Sequence, residues 1–262
     1  MYSAPVSLIK NIPELTKDLD TGKNLGLIFN LECIDSSHRS KTGPNLNSIQ
    51  RHIHWIADLP DIYQAVISDG PLDELETLFD SHRIILAPNN GAEIYSANFT
   101  WILPDLNLIR QELTELFLAV RDSLGSDLRP EYLSFSQSEL WLKASAGNEV
   151  VRDVLITQFR HQNPSRLRLS VLNQQITVAP RNPWDRGQAV GKILNLLPNP
   201  GHQTPIIIYF GLEEKDEPAF RFVNKLGFSV IIHNRLPRTT QAHFFLRNSA
   251  ELSKFLFWIH SR

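Results

Sequence analysis

A single cysteine, Cys33, among 262 residues excludes an internal disulfide and any metal site built on several thiolates. No apolar run approaches the roughly twenty residues that a membrane helix needs. The most apolar stretch, 205–210, has the length of a buried strand. Positive charge is not in excess either. The 26 Lys and Arg against 28 Asp and Glu leave a formal net charge of −2, so the electrostatic footprint of a nucleic-acid binder is missing. Arginines at 160, 166 and 168 alternate in the manner of a solvated strand edge. The first residues, MYSAPVSLIKNIPEL, lack the charged start, long apolar core and small-residue cleavage site of a secretory signal, and a cytoplasmic protein is expected. There is no G-x-S-x-G elbow, no zinc spacing, no repeat of fixed period and no low-complexity segment. His52 and His54 are two apart and face different sides of a helix, so they form no adjacent metal pair. Nothing in the sequence identifies a base that would make Cys33 a nucleophile. The five tryptophans read as core or cleft lining.

What is present is an alternation of short apolar runs and helical patterns. Runs at 25–31 (LGLIFNL), 65–68 and 84–87 have the length and continuity of buried parallel strands. Helices are expected at 45–57, with Leu46, Ile49, His52, Ile53 and Ile56 on one face, and at 71–79, with Pro71 in the first turn. A hairpin is expected at 92–95 and 99–102. Helical spacing over 106–124 then opens a different pattern: strand pairs at 132–135 with 139–144 and at 167–171 with 175–179, separated by a helix at 148–159. The alternation resumes with helices at 186–197, 219–226 and 250–260 and strands at 205–210, 229–233 and 243–246. The expectation is an α/β protein: a doubly wound parallel-sheet core, 1–104 and 183–262, interrupted by an α+β domain at 105–182.

Four segments carry a resemblance: ISDGPLDELETLF (67–79), ILAPNNGAEI (85–94), WDRGQAVGKIL (184–194) and IIIYFGLEEKDEPAFRFV (206–223). In order and spacing they resemble the VSGRPLDEL, GNHGAEI, DKGxAL and YxGDDxTDExAF segments of the trehalose-phosphate phosphatases, a family of the haloacid-dehalogenase (HAD) superfamily. The resemblance covers most of the chain and implies a HAD-like core with an inserted cap domain. It also implies magnesium-assisted phosphoryl transfer to the first Asp of a DxDGT strand. Such chemistry needs a cation against the phosphoryl charge and hard oxygen ligands for the metal. A carboxylate nucleophile divides the hydrolysis into two easier steps.

The strand LIFNLECID lies where DxDGT belongs. By this resemblance Asn30 takes the nucleophile's place with a neutral amide, and Glu32 takes the acid/base position. Ser68 matches the phosphate-binding hydroxyl, or it caps the following helix. Arg186 stands for the phosphate-binding lysine, or it is a surface residue at a helix start. Leu212 replaces a magnesium-binding Asp, Glu213 and Asp216 follow it, and Asn90 and Glu93 complete the cleft candidates. By this resemblance the cap segment LSFSQSELWLKAS keeps neither the acid nor the lysine of the family's sugar-binding segment, and TVAP stands where ExRP belongs, without its Glu and Arg. The expectation is therefore a non-catalytic, pseudophosphatase-like binding or regulatory protein with no metal and no cofactor, whose partner is another protein or a sugar-like molecule. The alternatives are a sugar-phosphate phosphatase rebuilt around Glu32, Glu213 and Asp216, which would use Mg2+, and a small-molecule sensor. Asn30, Ser68, Arg186 and Asp216 are expected to converge at the carboxyl ends of the core strands.

Overall fold

In the computed structural model, which describes residues 4–19, 23–34, 46–125, 129, 131–197, 205–235 and 239–262, the chain begins with β1 (Val6–Ser7) and α1 (Ile12–Leu19). The first apolar run forms β2 (Leu25–Asn30), and the one-turn helix α2 (Leu31–Ile34) follows at once. Next come α3 (Leu46–Ile56), β3 (Ile62–Ile67), α4 (Leu72–Glu76) and β4 (Ile85–Ala87), then the hairpin β5 (Glu93–Tyr95) and β6 (Thr100–Ile102). A second stretch runs α5 (Leu106–Leu124), β7 (Leu133–Ser136), β8 (Trp141–Ala144), α6 (Glu149–Gln162), β9 (Leu167–Leu172) and β10 (Gln175–Pro180). The last comprises α7 (Arg186–Leu196), β11 (Ile206–Gly211), α8 (Glu217–Val223), β12 (Gly227–Ile232), β13 (Phe244–Leu246) and α9 (Ser249–His260). The chain divides into two units, Met1–Trp101 with Asp185–Arg262 and Ile102–Trp184.

The first unit holds a mostly parallel sheet in the order β1-β13-β12-β11-β2-β3-β4-β5-β6, with β5 antiparallel to β4. All six residues of β2 and all six of β11 are buried, as expected of central parallel strands covered on both faces. Their register pairs Phe29 with Phe210, whose rings stack at 4.9 Å. From β2 the chain proceeds outward through β3 and β4, and from β11 it proceeds the other way through β12 and β13. The order therefore reverses between β2 and β11, and the crevice at the carboxyl ends of those strands is where such sheets place ligands.

The second unit is a two-layer α+β body. Its four-stranded antiparallel sheet has the order β7-β8-β10-β9. Period-two burial puts Leu142 and Ala144 of β8 and Ile176 and Val178 of β10 on one face. Leu113, Leu116 and Val120 of α5 and Val151 and Leu155 of α6 are buried with them.

Local chemistry explains several boundaries. The Asn148 side chain caps α6 by accepting from the Val151 amide at 3.1 Å, and Asn248 caps α9 by accepting from Glu251 at 3.1 Å. Three elements were not anticipated: β1, α1 and α2. The expected helix start at Asn45 and the side chain of Leu46 lie outside the described residues, whereas Ile49, Ile53 and Ile56 are fully buried as the pattern requires. One tryptophan departs from the expectation: Trp55, in α3, is 44% exposed, whereas Trp258 packs against the core. Among the described residues no helix is long and apolar enough to cross a membrane.

Candidate functional site

The carboxyl ends of β2, β3 and β11 carry Asn30, Ser68 with Asp69, and the turn that contains Glu213, Lys215 and Asp216. The start of α7 brings Arg186 to the same place. Asp185 fixes that start by accepting from the Gln188 amide at 2.9 Å, which leaves Arg186 as the first helical residue. Gly211 ends β11 because Asp216 folds back over it; a Cβ there would lie 2.6 Å from the Asp216 carboxyl carbon. Gly91 has φ +73°, and a Cβ on it would meet the Ala189 side chain at 2.4 Å, so glycine lets the 88–92 turn lie against α7.

Arg186 is fully buried, so the surface reading of this residue is wrong. Its Nη1 donates to Asp216 Oδ1 at 2.6 Å, its Nη2 to Asp69 Oδ1 at 2.7 Å, and its Nε to Asn90 Oδ1 at 3.1 Å. The fork and its third donor thus span three acceptors, which a lysine's single ammonium could not reach together. Asp216, also fully buried, accepts at Oδ1 from the Tyr209 hydroxyl at 2.6 Å. At Oδ2 it accepts from the Leu212 amide at 2.8 Å, the Glu213 amide at 3.0 Å and Asn30 Nδ2 at 3.2 Å. The Asn30 amide orientation is set from both ends, because its Oδ1 accepts from the Glu32 amide at 3.2 Å.

Ser68 is buried, and its hydroxyl accepts from the Gly70 amide at 2.9 Å; α4 instead begins after Pro71 with no side-chain cap, which corrects the helix-cap reading of Ser68. Glu93, the first residue of β5, follows the turn that holds Asn90, but its carboxylate accepts from Asn89 Nδ2 at 2.9 Å and from the Tyr95 hydroxyl at 2.8 Å. Two participants escaped the sequence reading, Asp69 and Lys215. The Lys215 ammonium pairs with Asp69, with Glu213 at 3.2 Å and with Glu32 at 3.7 Å. Set against the resemblance, Asp69 stands at the glycine of VSGRPLDEL and Lys215 at the threonine of GDDxTDE. Two departures of opposite charge that meet in space were the available signal.

The electrostatics follow from this geometry. Burial alone would lower the basicity of Arg186, but the Asp216 charge overrides it and holds the guanidinium firmly protonated. Burial would raise the Asp69 carboxyl, yet Arg186 and then Lys215 bring it below the ordinary range. Burial lowers Lys215, whereas its hydrogen bond to Asp69 carries it above its usual value. The Glu32 carboxyl is raised, first by burial; Lys215 opposes this, and a hydrogen bond with Glu213 adds to it. Burial and then the Asp216 charge push the Tyr209 phenol and the Cys33 thiol well upward, so Cys33 stays a thiol and an inert one.

Asp69 has a depressed folded-state pKa, so its stabilisation is present above the unfolded value of about 3.9 and is lost as pH falls through the folded value. Asp69→Asn is expected to cost about 1–2 kcal/mol at pH 7. The gap to the parent should narrow as pH drops below about 4, which urea denaturation at both pH values will measure.

The magnesium ion that the resemblance implies does not fit the donor set. Asn30 turns its amide nitrogen toward Asp216, Leu212 contributes an apolar side chain, and both Asp216 oxygens are engaged by protein donors. Among the described residues no three His, Cys, Asp or Glu side chains are grouped to hold a metal. Leu212 and Glu213 also line a cavity of about 570 Å³ together with Glu217, Arg221, His233 and Gln241, a lining that mixes acidic and basic side chains.

No protein-family model matches the chain. In sequence it is similar to a trehalose 6-phosphate phosphatase of Zea mays, RA3, at 32% identity over 113 residues, which are 43% of this chain and 30% of that protein. It is also similar to trehalose-phosphate phosphatase B of Arabidopsis thaliana, at 28% identity over 110 residues, 41% of this chain and 28% of that one. The matched stretches thus span less than a third of these curated relatives. In structure it is similar to the trehalose-6-phosphate phosphatase of Aspergillus fumigatus, with TM-score 0.69, 13% identity and coverage of 98% of this chain and 100% of the other. The C-terminal domain of the Candida albicans trehalose synthase regulatory protein gives TM-score 0.62 at 17% identity, covering 97% and 98%. A haloacid dehalogenase-like hydrolase from Bacteroides thetaiotaomicron gives 0.56 at 13%, covering 90% and 100%. The fold is that of HAD-like proteins, and the sequence is trehalose-phosphate phosphatase-like.

Proposed function

We propose that this chain is a non-catalytic relative of the trehalose-phosphate phosphatases, a binding or regulatory protein that keeps the fold without the hydrolysis. The observation that carries this reading is the closed network around Asp216, in which Arg186 and Asn30 saturate the carboxylate that the resemblance would leave to a metal. At the nucleophile's place Asn30 offers an amide oxygen already accepting from the Glu32 backbone. The cation that would hold a phosphate, Arg186, is committed to two carboxylates and an amide. Its ligand is a neutral, sugar-like molecule or a protein surface; pull-down from native extract with the full chain distinguishes these. The phosphatase test is release of inorganic phosphate from trehalose 6-phosphate and from a generic aryl phosphate in the presence of magnesium. No release above the buffer rate is expected, and turnover on the order of one per second would overturn the reading.

One observation favours a second reading, a phosphatase with a rebuilt site: Glu32 is a raised carboxyl hydrogen-bonded to Glu213, which suits an acid/base pair. If phosphate is released, Glu32→Gln should abolish the release.

A further inference from the structure

The Lys215 ammonium lies among Asp69, Glu213 and Glu32, carboxylates drawn from three separate segments at the ends of three strands. Asp69 and Lys215 are 146 residues apart, so only the fold brings them together. The side chains of Lys215, Asp69 and Glu213 are each about a quarter exposed, which leaves the ammonium no more than partly hydrated. Arg186 takes Asp216 and one oxygen of Asp69, so without Lys215 the other Asp69 oxygen, Glu213 and Glu32 would meet with no cation among them.

We infer that Lys215 is a tethered counter-ion that takes the place of a divalent cation in this crevice, so that the order of the site is independent of metal. The inference extends the non-catalytic reading to the same site, but concerns cation binding rather than hydrolysis. A charge carried on the chain neutralises the carboxylates at no cost of capture from solution, whereas magnesium would have to give up part of a tightly held water shell. The position also excludes a metal: the ammonium occupies the space that the three carboxylates enclose, and like charge repels any second cation.

The full chain is tested with Lys215→Met, which keeps the length and removes the charge, and with Lys215→Arg, which keeps the charge. Thermal unfolding is followed in chelator, in millimolar magnesium chloride, and in sodium chloride of equal ionic strength. The parent and Lys215→Arg are expected to show the same Tm in all three. Lys215→Met should lose about 3–6 °C in chelator and recover part of it in magnesium only, as the freed carboxylates close around a partly hydrated ion. Adding Asp69→Asn to Lys215→Met should abolish the recovery. The inference is overturned if the parent responds to magnesium as strongly as the variant, if a folded Lys215→Met does not respond, or if the response survives Asp69→Asn. Should Lys215→Met fail to fold, calorimetric titration of the parent decides, and micromolar magnesium affinity refutes the inference. Phosphate release measured on the same samples separates the two readings. Release without magnesium dependence defeats the non-catalytic reading alone, and magnesium binding without release defeats this one alone.

Discussion

Arg186→Met is expected to lower stability by about 3–5 kcal/mol, the range for breaking a buried ion pair by removing one partner. Arg186 and Asp216 are both fully buried and 2.6 Å apart, and the same guanidinium reaches Asp69 and Asn90. Without it the Asp216 carboxylate keeps its neutral donors, Tyr209, Asn30 and two amides, but loses the charge that balances it. Arg186→Lys should lose a smaller part, since one ammonium cannot bond all three acceptors. Removing both charges with Arg186→Met and Asp216→Leu should cost less than the sum of the singles, because neither charge is then left alone in the core. Equilibrium urea denaturation at pH 7 measures the four variants, Asp216→Leu alone included, against the parent. A loss below about 1 kcal/mol for Arg186→Met would place the pair with ordinary exposed salt bridges and contradict its burial.

The second large effect is expected from Asn30→Asp, the change that would restore a nucleophile by the resemblance. Asn30 is fully buried and donates to Asp216 Oδ2 at 3.2 Å; an aspartate there turns a donor into an acceptor and sets two carboxylates together. They cannot both ionise cheaply at that distance, so the new carboxyl has a folded-state pKa above its unfolded value of about 3.9. Its contribution is therefore favourable below that value and is lost as pH rises. The variant should fall behind the parent by about 2–4 kcal/mol at pH 7 and by much less near pH 4. No phosphate release should appear, since Arg186 and Lys215 still hold the carboxylates that a metal would need. Leu212→Asp is no simple complement either, for Leu212 belongs to the apolar core cluster and a carboxylate there would be buried beside it. An Asn30→Asp variant as stable at pH 7 as the parent, or one that releases phosphate with magnesium, would contradict this account of the site.

The α/β class and most of the elements were legible in the order of the amino acids, because both rest on local pattern. LGLIFN and IIIYFG are continuous apolar runs of strand length, and a parallel sheet covered on both faces buries them whole. The strand-pair and helix rhythm of 106–180 has its own period, so the second unit was legible as α+β. The residues Asn30, Glu32 and Leu212, at positions where the resemblance leads one to expect carboxylates or aspartate, could likewise be read directly. Tertiary structure alone decided the rest. β1 is two residues long and exists only through its pairing with β13, and α2 is a single turn at the end of a buried strand; neither is long enough to carry a period. The site is a matter of distance in space: Arg186 meets Asp69 across 117 residues, Lys215 meets Asp69 across 146, and Asn30 meets Asp216 across 186. Burial then set their character, since an arginine at a helix start can equally face water. Coulomb attraction in a partly buried crevice acts between neighbours in the fold, and strand order rather than chain order makes those neighbours.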